Sequence, residues 1–168
     1  MQQIYPLEIH EESSDYPTRQ DFFVSKAGDE KGFGLFTRRL FQKGEQMARF
    51  TGEVLNEIKL HTLQISPSKH LYDPHFVGYL LHSCDPNVEL NMKTLTMRAL
   101  KDIAPGEALT MDYASTEDVL YRQFACACKA RKCRQWITGR LETINREGRD
   151  YLNSLSSRCT LVFAHEHA

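Results

Sequence analysis

The sequence predicts a mainly β domain made of several small sheets, with a helix near its C-terminal end. Three observations carry this prediction. Short strand-forming runs alternate with glycine-bearing turns from residue 21 to about residue 113. The apolar spacing changes to a helical period only beyond Trp136. With 168 residues and 41% hydrophobic content, the chain is sized for one core and too short for two.

Asp21 to Lys26 is rich in strand formers and runs into the turn set Ala27-Gly28-Asp29-Glu30-Lys31-Gly32. Gly34 to Phe41 and Gln46 to Thr51 are extended segments closed by Gly44 and Gly52. Between Leu60 and Leu81 the pattern weakens at Ser66-Pro67-Ser68 and Asp73-Pro74, which predicts an irregular stretch with one helical turn. Val88 to Met92 and Leu95 to Leu100 read as a hairpin about Lys93-Thr94. Pro105-Gly106 turns the chain into a last strand, Ala108 to Tyr113. Leu141, Ile144, Tyr151, Leu152 and Leu155 recur at helical intervals, so residues 139–157 are predicted as one helix, or as two broken at Gly148.

Twenty-one Lys and Arg against twenty-two Asp and Glu leave a net charge of −1, so non-specific phosphate binding has no charge excess to drive it. Nucleic acid is therefore not expected as the main partner. No apolar run approaches the ~20 residues that span a bilayer, and the first residues lack the pattern of a secretion signal. The expectation is a cytoplasmic protein with no membrane partner; export as an effector, and the oligomeric state, a homodimer included, are left open. Residues 1–30 hold seven acids and two bases, and residues 122–150 hold eight bases and three acids, which favours solvated faces and pairing within the chain.

Three of the five cysteines form a C-x-C-x4-C cluster, Cys126, Cys128 and Cys133. In a chain without a secretion signal such a cluster reads as a metal site rather than a disulfide framework. A closed tetrahedral zinc site needs a fourth ligand, to be drawn from Cys84, Cys159 or the seven histidines.

Three segments taken together resemble the SET-domain lysine methyltransferases with a post-SET motif, of the compact stand-alone bacterial or viral type. They are Lys31-Gly32-Phe33-Gly34 leading to Gly52-Glu53, then His82-Ser83-Cys84-Asp85-Pro86-Asn87, and Leu109-Thr110-Met111-Asp112-Tyr113 followed by the cysteine triplet. The resemblance implies a knot-like crossing in which the Tyr113 segment lies against the His82 segment. It divides the chain into an N-terminal extension (1–20), a SET domain (21–122), a post-SET zinc segment (123–138) and a C-terminal helix and tail (139–168). It also implies that Cys84 completes a structural Zn²⁺ site with Cys126, Cys128 and Cys133, which leaves Cys159 as an ordinary cysteine.

The implied activity is methyl transfer from S-adenosylmethionine to a lysine amine of a protein or peptide. Deprotonating a lysine at pH 7 costs ~4.6 kcal/mol, and a desolvated aromatic channel reduces that cost. By resemblance Tyr113 is the catalytic residue. Gly32, Phe33, Gly34, Leu81, His82 and Trp136 bind the cofactor. Tyr72, Phe76, Tyr79 and Met111 are the candidates for the lysine channel. Met111 stands where the family often has an aromatic residue, and it offers no hydroxyl to limit the number of methyls.

The segment Gly78-Tyr79-Leu80-Leu81 departs from the family's usual Arg-Phe-Ile-Asn before His82, and the loss of the arginine and the asparagine removes polar partners of the cofactor's methionine end. Methylation of a free amino acid or small peptide is the second enzymatic reading. A zinc-stabilised interaction module without catalysis is the reading from another class.

Overall fold

The computed structural model of the chain describes residues 3–6, 15–28 and 32–164, with side chains to residue 157. In chain order the described strands are β1 (Phe22–Lys26), β2 (Phe33–Thr37), β3 (Gln46–Arg49), β4 (Glu53–Leu55), β5 (Thr62–Ser66) and β6 (Lys69–Tyr72). They continue with β7 (Leu81–His82), β8 (Val88–Asn91), β9 (Thr96–Ala99), β10 (Thr110–Met111), β11 (Phe124–Ala125) and β12 (Trp136–Ile137), before the helix α1 (Arg146–Ala164). Single 3-10 turns occupy Val77–Tyr79 and Tyr113–Ser115. Five small sheets result: β1-β2, β3-β9-β8, β4-β6-β5, β7-β10 and β11-β12. The mainly β architecture of small sheets with one C-terminal helix is as the sequence predicts.

The core lies where these sheets meet. Phe22 stacks on Phe41 with ring centres 5.3 Å apart and meets Phe76 edge to face at 5.0 Å. Leu35, Met97, Ile103 and Leu109 close around them, all fully buried. Beneath this cluster Asp73 carries a buried carboxylate that accepts N–H groups from His75, Phe76 and Val77 at 2.9, 3.0 and 2.8 Å. Tyr5 donates its hydroxyl to the same carboxylate at 2.7 Å and accepts the Thr51 N–H at 3.3 Å. The N-terminal extension is thereby tied to the turn that leads into β7.

Two segments differ from the sequence reading. Residues 62–72 form an antiparallel hairpin, with a register shift between Gln64 and Ser66, rather than an irregular stretch. Ser66-Pro67-Ser68 is its turn, and polar Gln64 and His70 point inward while Ile65 is exposed, so the apolar alternation that marks a strand is inverted there. The helix starts at Arg146, because the Asn145 side chain caps it by accepting the Gly148 N–H at 2.8 Å. Gly148 does not break it; a Cβ there would lie 2.4 Å from the Trp136 indole nitrogen, so the glycine makes room for the tryptophan.

Several bases of residues 122–150 pair close by: Arg134 with Asp112, Arg140 with Asp118, and Arg122 with Glu147. Asp21 of the acidic N-terminal segment pairs with Arg39. Glu8, Glu11, Glu12, Asp29, Glu30 and the side chain of Cys159 lie outside the described residues. No helix among the described residues is long and apolar enough to cross a membrane.

His70 is 4% exposed, its Nδ1 makes no hydrogen bond, and burial holds its pKa below the ordinary range. In the unfolded chain the ring takes up a proton near pH 6.5, whereas in the fold it stays neutral to lower pH. Its contribution to stability is therefore complete above about pH 6.5 and declines as the pH falls toward the lowered native value. Denaturant unfolding of parent and His70→Leu at pH 7.5 and pH 5 should show a smaller acid loss in the variant; equal losses would assign the acid sensitivity elsewhere.

Candidate active site

The site is built on the pairing of β7 with β10, two parallel two-residue strands in which Leu81 faces Thr110 and His82 faces Met111. The Leu81 N–H reaches the Leu109 carbonyl at 3.1 Å and the Ser83 N–H the Met111 carbonyl at 2.9 Å. Asn87 completes the junction with its side chain: its amide donates to the Ala108 carbonyl at 2.9 Å and its oxygen accepts the Thr110 N–H at 2.7 Å. So short a pairing would not hold alone; the Asn87 amide supplies the contacts that a longer strand would otherwise provide.

This junction delivers Tyr113 to the end of β10. Its hydroxyl donates to the Leu80 carbonyl at 2.8 Å, and its ring sits edge on to His82 at 5.2 Å and to Phe124 at 5.9 Å. Burial, helped by the neighbouring Glu117 charge, pushes the phenol up to about 12, so it stays protonated. The Tyr113 N–H points at Nδ1 of His82 at 3.4 Å, which puts the His82 proton on Nε2, facing the Cys84 sulfur at 3.5 Å. Burial, opposed by Asp112 and reinforced by Arg134, lowers His82 to about 4, and the ring is neutral.

Two cavities flank this aromatic group. An apolar one of about 320 Å³ is lined by Leu63, Val77, Leu80, Met111, Tyr113, Glu117, Leu120 and Phe124, with His61 and Tyr121. A second of about 270 Å³ is lined by Leu81, His82, Tyr113, Phe124 and the segment from Ala125 to Cys128. Tyr113 and Phe124 line both, so these two rings form the partition.

Of the residues expected at the site, Tyr113, Leu81, His82 and Met111 stand at these cavities. Gly34 borders them, since a Cβ there would lie 2.8 Å from Leu81 Cδ1; Leu81 and Gly34 fit each other. Gly32, at φ +68°, and Phe33, 63% exposed, line neither cavity. Three of the residues expected in the channel line neither cavity. Phe76 is in the core, Tyr72 lines a separate hollow with Tyr5 and His75, and Tyr79 packs on His61 at 4.7 Å. Trp136 is 6% exposed, donates to Gln123 at 3.1 Å, packs on Tyr151 and pairs with Ala125, and does not itself line either cavity. The sequence reading missed Phe124, whose one signal is an aromatic residue two positions before the cysteine triplet. Gly78, where the resemblance suggests arginine, has no room for a side chain: a Cβ would lie 2.1 Å from the Asp73 carbonyl oxygen.

The cysteines converge. The sulfurs of Cys84, Cys126, Cys128 and Cys133 all lie within 4.8 Å of one another, with Cys84 and Cys126 at 3.9 Å, and all four are free thiols. A tetrahedron of sulfurs about 2.3 Å from a zinc ion has edges of about 3.8 Å, so the set fits such an ion. Backbone N–H groups of Ala130, Arg134 and Gln135 point at Cys128, Cys84 and Cys133 at 3.5, 3.4 and 3.4 Å, a geometry that favours thiolates. Burial raises the Cys126 thiol well above its ordinary range. At Cys128 burial also opposes ionisation, but hydrogen bonds from the backbone and neighbouring thiols outweigh it and bring it down to about 6. Four thiolates this close need a dication to coexist.

Comparison with known proteins agrees with this geometry. The SET domain pattern matches residues 32–114. Similar proteins include the histone-lysine N-methyltransferase Set2 of Drosophila melanogaster, 30% identical over 137 residues, which are 66% of this chain and 6% of that one. The probable histone-lysine N-methyltransferase set-23 of Caenorhabditis elegans is 28% identical over 136 residues, 64% of this chain and 56% of that one. The chain thus spans less than two thirds of either relative's length. Among solved structures, KRYPTONITE in complex with mCHG DNA and SAH superposes with a TM-score of 0.58 at 22% identity, over 68% of this chain and 28% of that one. Residues 32–114 are a SET domain, and proteins similar to the chain bear histone-lysine methyltransferase names.

Proposed function

We propose that the chain is an S-adenosylmethionine-dependent N-methyltransferase acting on a lysine amine of a protein or peptide, stabilised by zinc at the four cysteines. The observation that carries this is the partition: Tyr113 and Phe124 border a mixed polar cavity on one side and an apolar cavity on the other. Methyl transfer needs such an arrangement, with donor and acceptor approaching one plane from opposite sides and water kept out. Two relatives bear histone-lysine methyltransferase names and one structural neighbour was solved with SAH, which supports the reading.

In this reading Leu81, His82 and the segment Phe124 to Cys128 hold the cofactor, which supplies an electrophilic methyl group when bound. Leu80, Met111, Leu120 and Leu63 desolvate the entering amine and so favour its neutral form. Tyr113 commits its proton to the Leu80 carbonyl, which leaves its oxygen free to accept a hydrogen bond from the amine. Zinc at Cys84, Cys126, Cys128 and Cys133 clamps the wall that runs through Ala125 and Ala127.

Three outcomes test this. Tyr113→Phe should lower kcat by about 100-fold or more, while calorimetry shows S-adenosylmethionine bound within a few-fold of the parent; undiminished turnover would remove Tyr113 from the reaction. Metal analysis should find one zinc per chain, and its removal by a chelator should lower Tm and abolish cofactor binding together; cofactor binding unchanged after complete zinc loss would separate the two. Since Met111 has no hydroxyl to hold a water beside the amine, mass spectrometry after exhaustive reaction should show di- or trimethylated product. A product arrested at one methyl would contradict this.

A further inference from the structure

Glu117 is an acid that the methyl-transfer reading does not use. It lies four residues beyond Tyr113, and its N–H bonds to the Tyr113 carbonyl at 2.9 Å, so both side chains leave one turn and both line the 320 Å³ cavity. Glu117 is 7% exposed. It accepts the Gln64 N–H at 2.9 Å and the Thr116 hydroxyl at 2.9 Å, and both bonds fall on Oε1.

Oε2 accepts no hydrogen bond among the described residues. Nor is it wholly enclosed, and the open space that Glu117 lines is the cavity. The nearby cation is otherwise engaged: Arg140 bonds Asp118 and the carbonyls of Ser115 and Thr116. Burial already pulls the Glu117 carboxyl above its ordinary range, as expected for an anion with half its acceptor capacity unused. The basic residues that line the cavity, Lys59 and Arg122, would repel a cation. Any preference for a positive charge inside must therefore come from Glu117 or from the faces of the lining aromatic rings.

We propose that Glu117 is the cation anchor of this cavity: its Oε2 accepts a charge-assisted hydrogen bond from the ammonium of an aliphatic amine, and so selects that amine over a neutral chain of equal length. The lysine side chain is such an amine, and in this respect the anchor rests on the methyltransferase reading. It makes Glu117 a substrate-binding residue, the one anionic group lining a mainly apolar cavity. The anchor favours the ammonium on entry, in opposition to the desolvation that favours the neutral amine.

The test is titration of the full zinc-loaded chain with n-butylammonium, the charged end of a lysine side chain, and with n-butanol, followed by NMR. The parent should bind n-butylammonium roughly tenfold or more tightly than n-butanol, the equivalent of one charge-assisted hydrogen bond. Glu117→Gln keeps an acceptor for Gln64 and Thr116 and removes the charge. It should lose that preference, bind n-butanol as the parent does, and bind S-adenosylmethionine unchanged. A parent without the preference, or a folded Glu117→Gln that retains it, would overturn the proposal. Should the variant fail to fold, Glu117→Asp, which keeps the charge but draws it back from the cavity, should weaken the preference, and a full preference in it would overturn the proposal. The preference present without any methyl transfer would sustain the anchor and sink the methyltransferase reading; methyl transfer without the preference would do the reverse.

Discussion

Three residues before Cys84 and three before Asp112 are held side by side by the Leu81–Leu109 and Ser83–Met111 hydrogen bonds, and the Asn87 amide locks the second strand in register. These contacts are short in space and about thirty residues apart in sequence, so the intervening hairpin β8-β9 and the turn at Pro105-Gly106 must form for them to close. Everything the site needs follows from that closure. It sets Tyr113 beside His82, brings the Leu80 carbonyl to the phenol, and puts Met111 on the floor of the apolar cavity.

The cysteine cluster acts on the same junction from the other side. Cys84 follows β7 by two residues, and the triplet follows β11, so a metal held by all four would tie the junction to the segment that walls the smaller cavity. The neutral His82 ring lies between them, receiving the Tyr113 N–H on one edge and facing the Cys84 sulfur on the other. Its part is to join two structural devices rather than to exchange a proton with solvent, which agrees with a pKa near 4.

Much of this was legible in the sequence because the decisive residues act through fixed local patterns. The C-x-C-x4-C spacing, the His82 to Asn87 run and Tyr113 each need particular chemistry, and the structure assembles them as their order implies. Tyr72, Phe76, Tyr79 and Trp136 were not legible in the same way, since an aromatic residue near a motif serves a core as well as a channel. Phe76 and Trp136 serve the core or its edge here. The hairpin at residues 62–72 was hidden by inward-facing Gln64 and His70, and the burial of Gln64 depends on a long-range partner, Asp118, which accepts its amide at 2.6 Å. Gly78 and Leu81 read as losses from the family pattern, yet each fits its neighbour sterically, Gly78 beneath Asp73 and Leu81 over Gly34.

The central claim is that Tyr113 and Phe124 separate a cofactor cavity from a substrate cavity. A crystal structure of the zinc-loaded chain with S-adenosylhomocysteine tests it most directly. The account predicts the ligand against Leu81, His82 and the Phe124 to Cys128 segment, with its sulfur directed at Tyr113 and the apolar cavity left free. The ligand seated instead among Leu63, Val77, Glu117 and Leu120 would contradict it.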